Sequence, residues 1–196
     1  MNHTSTVLSR ALVPLFAFGL LATALVHVSP AEAQRRGYHS RTRLGVQGDI
    51  GYVRESNSGL VLGITGQLGV QQSDLFAIYY QPRLLGGSFF DGDNNATVIA
   101  FYNTAMFDFT FGDMLQLGLG PSLDLGVVGV CRRDSCDGFG GAFFGADFKI
   151  SLVLGGHVHG SGQRAGFVIA LHAHPTWLSA NDPVTTVTLG FGYQVY

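Results

Sequence analysis

Apolar and polar residues alternate with a period of two along most of this chain. Between Leu115 and Val127 every odd position is apolar (Leu115, Leu117, Leu119, Pro121, Leu123, Leu125, Val127), and the even positions are Gln116, Gly118, Gly120, Ser122, Asp124 and Gly126. Successive side chains of a strand point to opposite faces, so this pattern predicts a strand with one apolar and one polar face. Residues 43–53 do the same, with Leu44, Val46, Ile50 and Tyr52 against Gln47 and Asp49. Residues 59–70, 75–85 and 96–111 follow, the last with Asn103 as a polar defect on its apolar face. After residues 115–127 come 139–154, 165–178 and 184–196. Segments rich in Gly, Asp, Asn and Ser separate them, notably 86–95, 131–136 and 155–164, and are read as turns and loops.

Eight strands of this kind predict an all-β, antiparallel, up-and-down eight-stranded transmembrane β-barrel. Most of these segments, at roughly 11 to 13 residues, suit a tilted bilayer crossing, which takes about 9–11 residues. Eight strands make the smallest barrel whose interior side chains just fill it. Closure matters because an open sheet edge in lipid leaves backbone groups unpaired. One feature opposes this reading. Pro82, Pro121 and Pro175 fall inside strands, where proline cannot donate to the ladder. All three lie on the apolar face at similar depth, which predicts a shared local bulge.

Composition adds an address. Arg10, the apolar run 11–26 and the small-x-small sequence Ala31-Glu32-Ala33 form a signal peptide over residues 1–33. The alternative, an uncleaved anchor, has a run short of the roughly 20 residues that a spanning helix needs. Residues 34–41 are a basic N-terminal leader, and 42–196 are the barrel. Charged residues make up 12% of the chain, with Lys149 the one lysine and Glu55 the one glutamate after the signal. Soluble domains carry about 25% charged residues, so this surface is more natural facing lipid. The net charge of −2 gives no basic excess to attract nucleic acid.

The polar face carries Arg43, Asp49, Arg83, Asp108, Asp124, Asp147 and Lys149. Buried in a narrow lumen, unpaired charges are costly, so these seven are expected to pair as a plugging network. The alternative is a thin polar path for ions or small solutes. Phe76, Phe107, Phe109, Phe111, Phe167 and Tyr193 converge on one rim of an up-and-down barrel. They resemble an aromatic girdle, against the plainer reading that aromatics favour strands. Cys131 and Cys136 flank a strand-to-strand tip, and in an oxidising compartment a disulfide is expected. His157 with His159, in a predicted turn, and His172 with His174, on one strand face, have ligand-like spacing, but no third ligand is evident, so a polar lumen or rim role is expected and no metal or cofactor. No G-x-S-x-G, Walker A, G-x-G-x-x-G or H-E-x-x-H motif is present. His172 or His174 with Ser179 is the one Ser/His pairing that an outer-rim lipid hydrolase could use, and a non-enzyme is expected.

The export signal, the amphipathic strands and the C-terminal alternation Val187, Leu189, Phe191, Tyr193, Val195 resemble small outer-membrane barrels of the OmpA/OmpX type. In that family the last strand alternates back from a final aromatic, whereas Tyr196 falls one position out of phase. The resemblance implies a Gram-negative-type outer membrane, lipid contact, insertion by the barrel assembly machinery and usually no catalysis. It names no partner for the loops. Two alternatives stand beside this non-enzymatic reading. One is an exported lipocalin-like barrel with an apolar ligand inside, and the other is a narrow channel.

Overall fold

The computed structural model describes residues 40–54, 58–91, 94–112, 114–132, 135–158, 163–178 and 183–196. They form β1 (Arg41–Arg54), β2 (Ser58–Gln71), β3 (Phe76–Asp91), β4 (Asn94–Phe111), β5 (Leu115–Arg132), β6 (Ser135–Val158), β7 (Arg164–Trp177) and β8 (Pro183–Val195). Each strand pairs antiparallel with its neighbours in the chain, and β1 pairs with β8, so the sheet closes into a barrel. Residues 1–33, read as a signal peptide, and most of the expected basic leader lie outside the described residues.

The register fixes the shape. Cross-strand partners run from Thr42 through Val70, Ile78, Phe107, Leu119, Phe148, Ala173 and Val187. They return to β1 at Tyr52, ten residues from the starting Thr42. With ordinary residue and strand spacings, that stagger tilts the strands by about 40°.

Four expectations need correction. Residues 86–95, read as a loop, are mostly strand: Gly86 pairs with Ile99 and Gly87 with Val98. The chain past Val127 likewise stays paired to the Arg132–Ser135 pair. Adjacent strands supply ladder partners there, and pairing outweighs the weak strand preference of Gly and Asp. The Gly-rich stretch after Leu154 continues β6 through a bulge, where Gly155 takes φ 74 and the register with β7 shifts between Leu154 and His157. The prolines cause no bulge. Pairing lapses beside each, between Thr65/Arg83 and Leu68/Tyr80, Thr104/Ser122 and Phe107/Leu119, and Gly145/Thr176 and Phe148/Ala173, and resumes in the same register. Each proline keeps its partner on the other side: Asn103, Ala146 and Thr185. One strand thus loses a few ladder bonds and every side chain keeps its face.

The two faces are the reverse of a soluble protein. Val46, Leu62, Ile64, Phe144 and Phe167 point outward and are 56% to 68% exposed, while Arg43, Gln81, Asp108, Asp147 and His172 fill the interior at 0% or 1%. Among the described residues the interior is lined mainly by polar and charged side chains, so the lipocalin-like alternative, which needs an apolar chamber, loses its basis. Near mid-height the outer face carries Gly48, Gly66, Pro82, Asn103, Pro121, Ala146, Ala173 and Pro175, with larger apolar residues above and below. Asn103, the polar defect, is satisfied: Tyr80 donates to its Oδ1 at 2.6 Å, and its Nδ2 donates to the Leu123 carbonyl at 3.1 Å.

The lower rim carries the start of β1 and the end of β8. The upper rim carries the β1–β2, β3–β4, β5–β6 and β7–β8 connections. β5 and β6 run well past the last outward apolar residues of β1 and β2, so one side of the wall rises above the other.

Candidate functional site

Inward side chains meet across the lumen because the stagger brings distant strands to one height. All seven charged residues expected in the lumen are there, each at most 5% exposed. In the lower half Asp108 takes both Arg43, at 3.0 Å, and Lys149. Tyr79 donates its hydroxyl to Asp108 at 2.8 Å, and the Lys149 ammonium donates to that hydroxyl at 2.5 Å. Arg43 also donates to Gln116 at 2.9 Å and to Gln71 at 3.2 Å. Its guanidinium lies 4.4 Å from the Tyr79 ring centre and 5.6 Å from that of Tyr196.

Tyr196 therefore turns inward. It is 2% exposed, packs with Val153 and Val168, and is held by two backbone bonds to Arg164, of 2.6 and 2.8 Å. Being out of phase with the outward aromatics places it across the lower mouth.

The upper half is organised by Asp147 and Asp124. Asp147 meets Arg83 at 2.8 Å, accepts from Gln81 at 3.0 Å and lies 3.2 Å from His172 Nδ1, which Arg83 also contacts. His174 has a carboxylate on each ring nitrogen, Asp124 at 2.9 Å from Nε2 and Asp147 at 3.6 Å from Nδ1. Thr176 donates to Asp124 at 2.6 Å. The Tyr102 ring stacks on His174, with centroids 3.9 Å apart and planes at 5°. Gly145 makes the pairing possible. A Cβ there would stand 2.2 Å from Asp124 Oδ2 and 2.9 Å from His174 Nε2. Above, Val53, Val61, Leu85, Ala100 and Tyr102 form an apolar cluster, with Val98 and Val184 against it.

The expectation that every charge is paired fails at Asp49. It accepts from Thr65 at 2.5 Å and has no ion-pair partner among the described residues. Overall the seven charges nearly balance, but each half on its own does not. The lower half holds one acid and two bases. The upper half holds Asp49, Asp124 and Asp147 against Arg83, with two histidines beside them.

His172 and His174 face the lumen, not the outer rim on which the lipid-hydrolase reading needs them. Ser179 and His159 lie outside the described residues, as does the side chain of His157. Ser122 Oγ is 3.3 Å from His174 Nε2, but Ser122 is itself buried and Asp124 shares the same ring nitrogen. Among the described residues no group of three or more His, Cys, Asp or Glu is arranged to hold a metal.

At the lower rim Phe76 lies opposite Phe109, with ring centres 5.2 Å apart, and Phe167 opposite Tyr193, at 5.7 Å. Phe107 lies opposite Ile78, and Phe111 opposite Leu115. A second outward set escaped the sequence reading: Tyr52, Phe144 and Trp177 near the upper rim, with Phe144 opposite Trp177. Counting outward parity from the band to its other end would have found it. Cys131 lies opposite Cys136 in the β5–β6 register, while their side chains lie outside the described portion.

No protein-family model matches the chain, and no curated protein sequence does. Solved structures are similar to it. The crystal structure of Neisserial surface protein A matches with a TM-score of 0.55 at 12% identity, covering 80% of this chain and 97% of that one. Ail, the attachment invasion locus protein of Yersinia pestis, matches at 0.54 and 13% identity, covering 78% and 97%. Ail in complex with the heparin analogue sucrose octasulfate matches at 0.50 and 14%, with the same coverage. The fold is that of the small eight-stranded outer-membrane barrels.

Proposed function

We propose that this chain is an integral outer-membrane barrel, exported by its N-terminal signal. It is non-enzymatic and structural or surface-interacting, with a largely plugged lumen. One observation carries the reading: a continuous apolar exterior surrounds an interior of buried charges. Water outside would have to hydrate dozens of apolar side chains, whereas lipid outside and a paired polar network inside satisfy both faces. The two outward aromatic sets then sit at the two membrane interfaces, as girdles do. Outer-membrane lipids contact the band between them. The assembly machinery reads the outward alternation Val187 to Val195, with Tyr193 as its last outward aromatic. The taller β5–β6 wall presents the exterior surface, and a Cys131–Cys136 disulfide staples its tip.

The apolar cluster above and Tyr196 below support closure, since each lies across the polar network at one end. The first test is gel mobility of the outer-membrane fraction in SDS, unboiled against boiled. A folded barrel runs differently until heated. No shift, with the protein recovered soluble, would reject the reading. In planar bilayers the refolded protein should carry no steady current, and Arg83→Ala with Lys149→Ala should not change that. A sustained ionic current through the unaltered protein would favour the channel. Two free thiols in unreduced protein would reject the staple.

A further inference from the structure

We propose, resting on the outer-membrane reading above, that the open edge of β6 pairs with the same edge of a second copy of this chain carried by an opposed membrane. β6 spans Ser135–Val158, but its ladder with β7 begins only at Phe144, opposite Trp177. On its other side β6 is paired to β5 from Ser135 onward, with no shift of register. Residues 135–143 therefore present a backbone edge with no ladder partner among the described residues. The neighbouring connections are too short to supply one. Trp177 lies opposite Pro183, so the β7–β8 connection leaves and returns within residues 178–182, and the β1–β2 connection is residues 55–57. The run from Phe143 to Ser135, at about 3.3 Å per residue and a tilt of about 40°, rises about 20 Å above the Phe144–Trp177 pair.

An open edge is a template for another strand, and proteins blunt such edges with lysine, proline or bulges. Residues 135–143 hold neither lysine nor proline, and Gly140, Gly141 and Ala142 are exposed. The barrel geometry selects the occupant. The barrel axis lies in the plane of the wall. Antiparallel pairing of two β6 edges relates the copies by a half-turn about the normal to that plane, which reverses the partner's barrel axis. Parallel pairing relates them by a half-turn about the strand, which sets the two axes about 80° apart for a tilt of about 40°. Neither fits two copies in one flat membrane, and the antiparallel arrangement fits two copies in membranes that face each other. It joins two walls, each of β3 to β6, into one sheet. The edge is also self-complementary. Paired about Phe139, Gly138 lies opposite Gly140 and Asp137 opposite Gly141, so the one charge of the segment meets no like charge.

The test uses the protein refolded into two populations of phosphatidylcholine vesicles, each with its own fluorescent colour. Gel mobility in SDS, unboiled against boiled, is read on the same vesicles. The expected result is two-colour clusters that form only when both populations carry the protein. Successive residues of a strand point their N–H groups to opposite edges, so one of Gly140→Pro and Gly141→Pro removes a donor from the open edge. That variant should lose the clusters and keep the gel shift. Replacing residues 128–139 by Asn-Gly, which turns the hairpin at the Val127–Gly140 pair, should do the same. Folded protein on vesicles that stay apart would overturn the proposal, as would clusters that survive the shortened hairpin. Clusters that need protein on one population alone would also overturn it, since lipid would then be the partner. An absent gel shift would instead remove the membrane reading, and the proposal with it.

Discussion

In the lower lumen one acid, Asp108, holds two bases, Arg43 and Lys149. In the upper lumen three acids stand against one arginine and two histidines, and Asp49 pairs with none of them. Both halves bury their charges almost completely, so the difference is in how balance is reached. The lower half uses fixed charges, a tyrosine hydroxyl and two ring faces. The upper half sets three acids against one fixed base, with two imidazoles packed beside them. A total over the whole lumen conceals this, because the surplus base below and the surplus acid above nearly cancel.

The comparison breaks most sharply at Asp108. Asp108→Ala leaves Arg43 and Lys149 buried together without a counter-charge and should cost about 3–5 kcal/mol. Urea unfolding of the refolded barrel, followed by gel mobility, measures it. A loss under about 1 kcal/mol would mean that the lower half rearranges as freely as the upper. Gly145→Ala acts on the upper half alone, pushing a methyl group into the Asp124–His174 contact. Overpacking of this kind costs about 1–3 kcal/mol. The same assay should show a smaller loss than for Asp108→Ala, and the reverse order would invert the comparison. Smallest is Tyr102→Phe, which removes the 3.0 Å hydroxyl contact to Thr186 but keeps the ring on His174. It should cost about 0.5–1.5 kcal/mol, and no measurable change would mean that the stack alone holds the ring.

Much of the fold is legible in the alternation. Strand count, antiparallel order and the two faces follow from residues such as Leu115 to Val127, because a period of two leaves no other regular structure. Strand length was not legible where glycine dominates, since Gly86 and Gly129 belong to strands through their partners and not through preference. The seven lumen charges were readable from parity. Their partners were not: Arg43 meets Asp108 and Gln81 meets Asp147 only because the register advances ten residues per circuit, a property of the closed sheet that no one strand encodes. The sequence left His172 and His174 open between lumen and rim for the same reason, since facing pairs at i and i+2 look alike in both places, and the structure puts them in the lumen. Tyr196 looked like a fault in the outward pattern, and its phase places it inside.

The three lapses in the ladder all fall near the mid-height waist of glycine, alanine and proline on the outer face. A closed wall that loses cross-strand bonds at one level is most compliant there, like a hoop scored around its girth. At that same level Arg83 and Gln81 reach from β3 to Asp147 on β6, and His174 and Asp147 face each other where the β6–β7 pairing lapses. The buried charges therefore serve as internal struts. Stiffness moves from the backbone to the side chains where the backbone yields, and a variant that empties the lumen should soften the cross-section before it opens a passage.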